Sequence, residues 1–264
     1  MMMRADVRKL RGSVVKGIFL GVLAVFVLEP AVAAPSGLDI MQQVYDQNRI
    51  HKNQQSTVEM RIYDRKDKVR KRWFKSKFRV FKDRSKSMLR IYRPTSQKGI
   101  GLLSESVDSK ENSDQWIYLP AFRSVRKINS QNRNQSFLGS DLTISDMAGR
   151  KPNQDTHKLM RDDSDYWIVE SRPKSSEDAY SRVVTDVHKA SKVATRVEFY
   201  DREGRLLKTL ENQRISNFNG MYVVVEALVS NARTGGRTEL VRSKIDIKTK
   251  IGPNEVGLRG LEQK

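Results

Sequence analysis

Few residues in this sequence could carry covalent chemistry. The 264-residue chain has no cysteine and three histidines, His51, His157 and His188. The lack of cysteine excludes disulfides, thiol nucleophiles, zinc–thiolate sites, iron–sulfur clusters and a lipidated N-terminal cysteine. The histidines are far apart and lie among polar residues, so surface or structural roles outweigh metal ligation. The 31 Asp and Glu residues form many pairs, but no spacing selects an acid–base couple. Gly99-Ile100-Gly101 lacks the third glycine and the following helix of a nucleotide loop; it reads as a strand bend or turn. Ser140, Asp141 and Asp146 are too few for a metal site and read as caps of a short loop helix. Arg123 and Arg126 have two readings: a planar donor fork beside an apolar pocket, or outward solvated groups. No catalytic set, cofactor or metal is expected.

The elements that must position these residues begin with one helix. Ser36 to about Gln54 carries Leu38, Met41, Val44 and Tyr45 on one face, with Ser36 as N-cap. The period then changes to two. Strands are predicted at Val58–Ile62, Phe74–Val80, Met88–Tyr92, Trp116–Leu119, Phe122–Ile128, Tyr166–Ser171, Arg182–His188, Ala194–Tyr200, Arg205–Leu210, Tyr222–Asn231 and Thr238–Lys248. Turns at Asp201–Gly204, Asn219-Gly220 and Thr234–Gly236 fit hairpins. Asn129–Asp155 is the one polar interruption. Many short strands joined by turns predict an antiparallel sheet or barrel in one domain, residues 34–264. Lys and Arg repeatedly alternate with Phe, Met, Val and Ile, so one sheet face is apolar and must be covered. A helix and a short loop helix are modest cover. The interior is then either a packed core or a cavity for an apolar ligand.

Residues 1–33 read as a secretory signal. Arg4, Arg8, Lys9, Arg11 and Lys16 precede the apolar run Gly17–Leu28, and Glu29-Pro30-Ala31-Val32-Ala33 closes it. The run is shorter than the about 20 residues needed to span a bilayer. Cleavage is predicted after Ala33, which places the mature chain in the periplasm. The formal net charge of +19 would ordinarily suggest nucleic acid. Export removes that partner and leaves anionic envelope lipids, to which a basic surface is drawn, or a solvated surface with no specific partner.

Two runs resemble a known family. Trp116-Ile117-Tyr118-Leu119-Pro120-Ala121-Phe122-Arg123-Ser124-Val125-Arg126-Lys127-Ile128 is similar to its W-x-Y-L-P-A-x-R-x-V-R-R-I stretch. Ser136-Phe137-Leu138-Gly139-Ser140-Asp141-Leu142-Thr143-Ile144-Ser145-Asp146-Met147 is similar to its S-F-x-G-(S/T)-D-(F/L)-T-x-x-D-(L/M) stretch. The family is that of the LolA-like outer membrane lipoprotein-sorting proteins. Departures are Lys127, where Arg is usual, and Gly257, where an aromatic is more frequent. The resemblance implies an incomplete, strongly curved antiparallel β-barrel whose concave apolar face is lidded by helices. It implies a carrier that holds lipid or lipoprotein acyl chains there, without catalysis. It also implies an association with inner-membrane exporters of the resistance–nodulation–division type. On that reading Phe74, Phe78, Met88, Trp116 and Tyr118 are candidate lining residues. Two competing functions are an adaptor that docks on such an exporter without carrying cargo and, less well supported, a secreted enzyme.

Overall fold

The computed structural model describes residues 34–50, 52–218 and 220–263. The predicted signal segment and its cleavage point lie outside the described residues, as do His51 and Asn219. Ser36 caps helix α1 (Gly37–Arg49), and Asp39 returns the bond in a capping box. Ile40 and Val44 are the buried face of α1. The helix ends sooner than the sequence suggests, because Asn53 already belongs to the first strand.

Thirteen strands follow: β1 (Asn53–Tyr63), β2 (Val69–Val80), β3 (Arg84–Arg93), β4 (Gly101–Val107), β5 (Asp114–Leu119), β6 (Ser124–Lys127), β7 (Asp155–Asp162), β8 (Tyr166–Pro173), β9 (Arg182–His188), β10 (Val193–Tyr200), β11 (Leu206–Phe218), β12 (Met221–Asn231) and β13 (Arg237–Asp246). They form one curved antiparallel sheet that does not close, in the order β6-β5-β4-β3-β2-β1-β13-β12-β11-β10-β9-β8-β7. Strands pair with their sequence neighbours within β1–β6 and within β7–β13, and β1 pairs with β13 across the two runs. Two meanders are therefore sutured along β1 and β13, and β6 and β7 are the free edges.

Two of these strands are not predicted from the sequence. β4 carries Leu102 and Leu103 buried on opposite faces, so its polarity does not alternate. β7 is an edge strand, largely polar with Met160 exposed. Gly99 turns at φ +90° just before β4, which agrees with the bend predicted there.

Both faces of the first meander are covered. Residues 128–154 connect β6 to β7 and carry helices α2 (Ser130–Arg133) and α3 (Ile144–Ala148). This strap packs Phe137 and Ile144 against Met60, Ile62, Phe74, Ile91 and Leu102 on the inner face. Helix α1 covers the inner face of the second meander, with Ile40 and Val44 against Trp167, Val169 and Val187. The chain after β13 covers the outer face of β2–β5, ending in α4 (Leu258–Glu262). There Ile251, Val256 and Leu261 bury Met88 and Leu103. Arg90 Nη2 donates to the Gly260 and Leu261 carbonyls at 2.7 Å each. A Cβ on Gly260 would collide with the Asn254 carbonyl, so only glycine fits this close approach.

Candidate functional site: an unfilled interior beneath a latched strap

The register assigns every candidate lining residue to a face. Val58 pairs with Phe74, and Phe74 with Ile91, so these share the inner face. Phe78 lies across from Gln54 on the same face. Met88 pairs with Lys77, and Trp116 with Leu103, which is the outer parity. Tyr118 shares that parity opposite Gly101. Met88, Trp116 and Tyr118 therefore do not line the interior; they pack beneath the C-terminal segment. Alternation fixes which residues share a face, but not which face is inner, and here the outer face is also apolar and covered. Ile117, between Trp116 and Tyr118, is the residue of that run that joins the inner cluster.

The inner face is not filled. A cavity of about 290 Å³ lies among Val58, Met60, Phe74, Leu89, Met147, Leu210, Ala227 and Leu240. A second, about 210 Å³, lies beneath α1 and the strap among Val44, Leu142, Thr185, Val197, Phe199 and Leu210. Leu210 borders both. A third, also about 210 Å³, continues from the first through Ser87, Val224 and Arg242 to Phe78, Gln54 and Gln47. Close-packed cores leave few voids larger than a water molecule. Each of these is near or below the about 300 Å³ at which ligand clefts begin, so one occupant would extend across adjoining cavities.

The run Ser136–Met147 lies in the strap over these cavities. Leu138 and Gly139 both have positive φ, at 55° and 73°, and the Ser140 N–H donates to the Phe137 carbonyl at 3.0 Å. Positive φ at both central positions marks a type I′ turn, which is why glycine follows leucine there. Ser136 Oγ donates to the Ser140 carbonyl at 2.6 Å, and Ser140 Oγ to that of Phe137 at 2.7 Å. The N-cap of α3 is Thr143, in a capping box with Asp146; Ser140 and Asp141 do not cap it.

Asp141 and Asp146 instead latch the strap to the sheet. Thr238 Oγ1 donates to the Asp141 carboxylate at 2.7 Å, and Asn231 Nδ2 donates to it at 3.0 Å. Lys208, fully buried on β11, donates from Nζ to Asp146 Oδ2 at 2.5 Å and to the Asp141 carbonyl at 3.0 Å. Its ammonium lies 5.0 Å from the Phe199 ring centre and 5.2 Å from that of Tyr180. Tyr180 Oη donates to Asp146 at 2.8 Å. Sequence reasoning missed Lys208, because a single lysine in a strand reads as outward.

Burial, and then the adjacent Asp146 carboxylate, push the Tyr180 phenol well above the ordinary tyrosine range. The folded chain keeps this proton at pH values where an unfolded chain, with a pKa of about 10, has lost it. The stability tied to Tyr180 is therefore complete below about pH 10 and is lost as pH rises beyond it, by up to about 1.4 kcal/mol per pH unit. Urea unfolding from about pH 9 to pH 11 should show this decline, and Tyr180→Phe should flatten it.

Arg123 and Arg126 are both exposed. Arg123 is exposed in the turn after β5, at φ +47°, and Arg126 stacks 5.1 Å from the Phe122 ring. Leu119 and Pro120 close β5 and open that turn. Both described histidines are pinned structurally. The His157 ring nitrogens bond Ser171 Oγ and the Pro152 carbonyl, each at 2.8 Å. His188 Nδ1 bonds Ser191 Oγ at 2.9 Å.

Comparison with known proteins agrees with this geometry. A family profile described only as an uncharacterized protein matches residues 83–263. No curated protein matches the chain. Among solved structures, a domain described as outer membrane lipoprotein-sorting, from Vibrio parahaemolyticus, is similar at 26% identity and TM-score 0.81, covering 86% of this chain and 98% of that one. The chain belongs to the LolA-like family. A DUF1329 family protein from Desulfovibrio piger is similar at 25% identity and TM-score 0.77, over 86% of this chain and 100% of the other. A LolA superfamily protein from Nitrosomonas europaea shares the fold at 18% identity and TM-score 0.68, over 85% and 98% of the two chains. The family is non-enzymatic, which fits a site built from apolar side chains.

Proposed function

We propose that this protein is a periplasmic carrier that shields the acyl chains of a lipid or lipoprotein on their way to the outer membrane. The observation that carries this reading is the apolar interior left unfilled beneath a strap held by a few polar ties. Burying one methylene is worth about 0.8 kcal/mol, so a C16 chain gains on the order of 10 kcal/mol without covalent chemistry. Release then needs movement of a cover, and α1 and the strap are the two covers available. Methionines at Met60 and Met147 let the wall adapt to different chains. The reading of residues 1–33 as a signal supports export. Among the described residues, no helix is long and apolar enough to cross a membrane. In this account an inner-membrane exporter of the resistance–nodulation–division type supplies the cargo, and the basic surface holds the carrier near anionic membrane.

A fluorescent fatty-acyl probe tests the proposal. Saturable binding near one probe per chain, displaced by unlabelled fatty acid, is the expected result. Trp116→Ala, on the outer face, should leave that affinity unchanged. An absence of binding would overturn the reading.

A further inference from the structure

Among the described residues, Arg242 is a cation of the inner face that forms no ion pair with a carboxylate. Arg242 lies on β13 opposite Val58 and borders both the first and third cavities. Its Nη2 donates to Gln54 Oε1 at 2.9 Å. Burial alone pulls the guanidinium below the usual arginine range, with no carboxylate to offset it. Lys208 and Arg150, by contrast, face Asp146 and the Asp155–Asp178 pair respectively. A guanidinium carries five N–H donors in a fixed fork, and one of them is accounted for here.

A second observation points to the same place. Gln47 on α1 borders the third cavity with Arg242, and its side-chain Nε2 is buried without a hydrogen-bond acceptor. Buried donors without acceptors are rare and costly. Gln47 Nε2 beside a guanidinium that no carboxylate faces, at one end of an apolar groove, asks for an occupant with acceptor oxygens. The groove leading away from them is walled by Phe74, Leu89, Ala227 and Leu240.

We propose that Arg242 and Gln47 form a head-group subsite, and that the cargo is an anionic amphiphile whose carboxylate or phosphate lies against Arg242. Its acyl chain extends through the first cavity toward Leu210. The inference rests on the carrier reading above and narrows it. The ester and amide heads of an acylated polypeptide are neutral and would leave the guanidinium uncompensated, whereas a fatty acid or a lysophosphatidate would pair with it bidentately.

Titration of the full mature chain with palmitate, 1-palmitoyl lysophosphatidate and monopalmitoylglycerol tests this. At least one anionic ligand should bind about ten- to a hundredfold more tightly than the glyceride, the value of a hydrogen-bonded charge pair. The two anionic arms distinguish a carboxylate head from a phosphate head. Arg242→Met should abolish the preference and leave glyceride affinity unchanged, while Arg242→Lys should keep part of it. Replacing an unpaired buried charge with an apolar side chain of similar volume should leave the thermal midpoint equal or higher, so loss of preference is not loss of fold. Equal affinities in the unmodified protein, or a preference that survives Arg242→Met, would overturn the subsite alone. Failure of all three ligands to bind would overturn the carrier reading together with it.

Discussion

Asp146→Ala is expected to destabilise the protein by about 3–5 kcal/mol, the usual cost of removing one partner of a buried ion pair. Three losses coincide at this position. Lys208 Nζ keeps only the Asp141 carbonyl in a site from which water is excluded. The Tyr180 hydroxyl loses its acceptor. Helix α3 loses the returning half of its capping box. The damage should concentrate in the strap, because Asp146 is where the strap meets β11. Urea unfolding gives the magnitude. Hydrogen exchange should show protection lost first over residues 136–148, while β8 and β9 remain protected. The double variant Asp146→Leu with Lys208→Met should recover much of the stability, since a buried pair replaced on both sides by apolar groups is often close to neutral. A single variant that unfolds like the unmodified protein would show that the strap is held by its apolar contacts alone.

Leu210→Trp should abolish acyl binding with little effect on folding. Leu210 is the one side chain that borders both the first and second cavities. An indole there occupies space that is empty, so the usual cost of overpacking a filled core does not apply. Blocking four methylenes of a bound chain removes about 3 kcal/mol, more than a hundredfold in affinity. The fluorescent acyl probe reads the loss, and the thermal midpoint confirms the fold. Affinity within about threefold of the unmodified protein, a difference below 1 kcal/mol, would place the acyl chain elsewhere.

The strands were legible where polarity alternates, as in Val58–Ile62 and Arg182–His188, because one parity meets water and the other a covered face. Legibility failed at β4, where both faces are buried, and at β7, an edge strand with little to bury. The same physics misassigned Met88, Trp116 and Tyr118. Parity was correct, but the C-terminal segment covers the outer face and makes it apolar too. The signal for that segment is weak: Ile251, Val256 and Leu261 are spaced at neither two nor 3.6 residues. The strap run was visible as a motif, and its reading as helix caps captured only Asp146. Asp141 reaches residues some 90 positions later, Asn231 and Thr238, and no local pattern reports such contacts. Lys208 and Arg242 belong to the same class. A charged residue in a strand reads as outward, and only the pairing of β11 and β13 with their neighbours turns these two inward.

In the proposed function the apolar interior holds an acyl chain. Native mass spectrometry of the protein, purified without detergent and followed by lipid extraction, reads its occupancy. A lipid or acylated adduct near one per protein, absent from Leu210→Trp prepared in parallel, is the predicted result. A monodisperse, empty protein that also fails to take up added fatty acid would contradict the account.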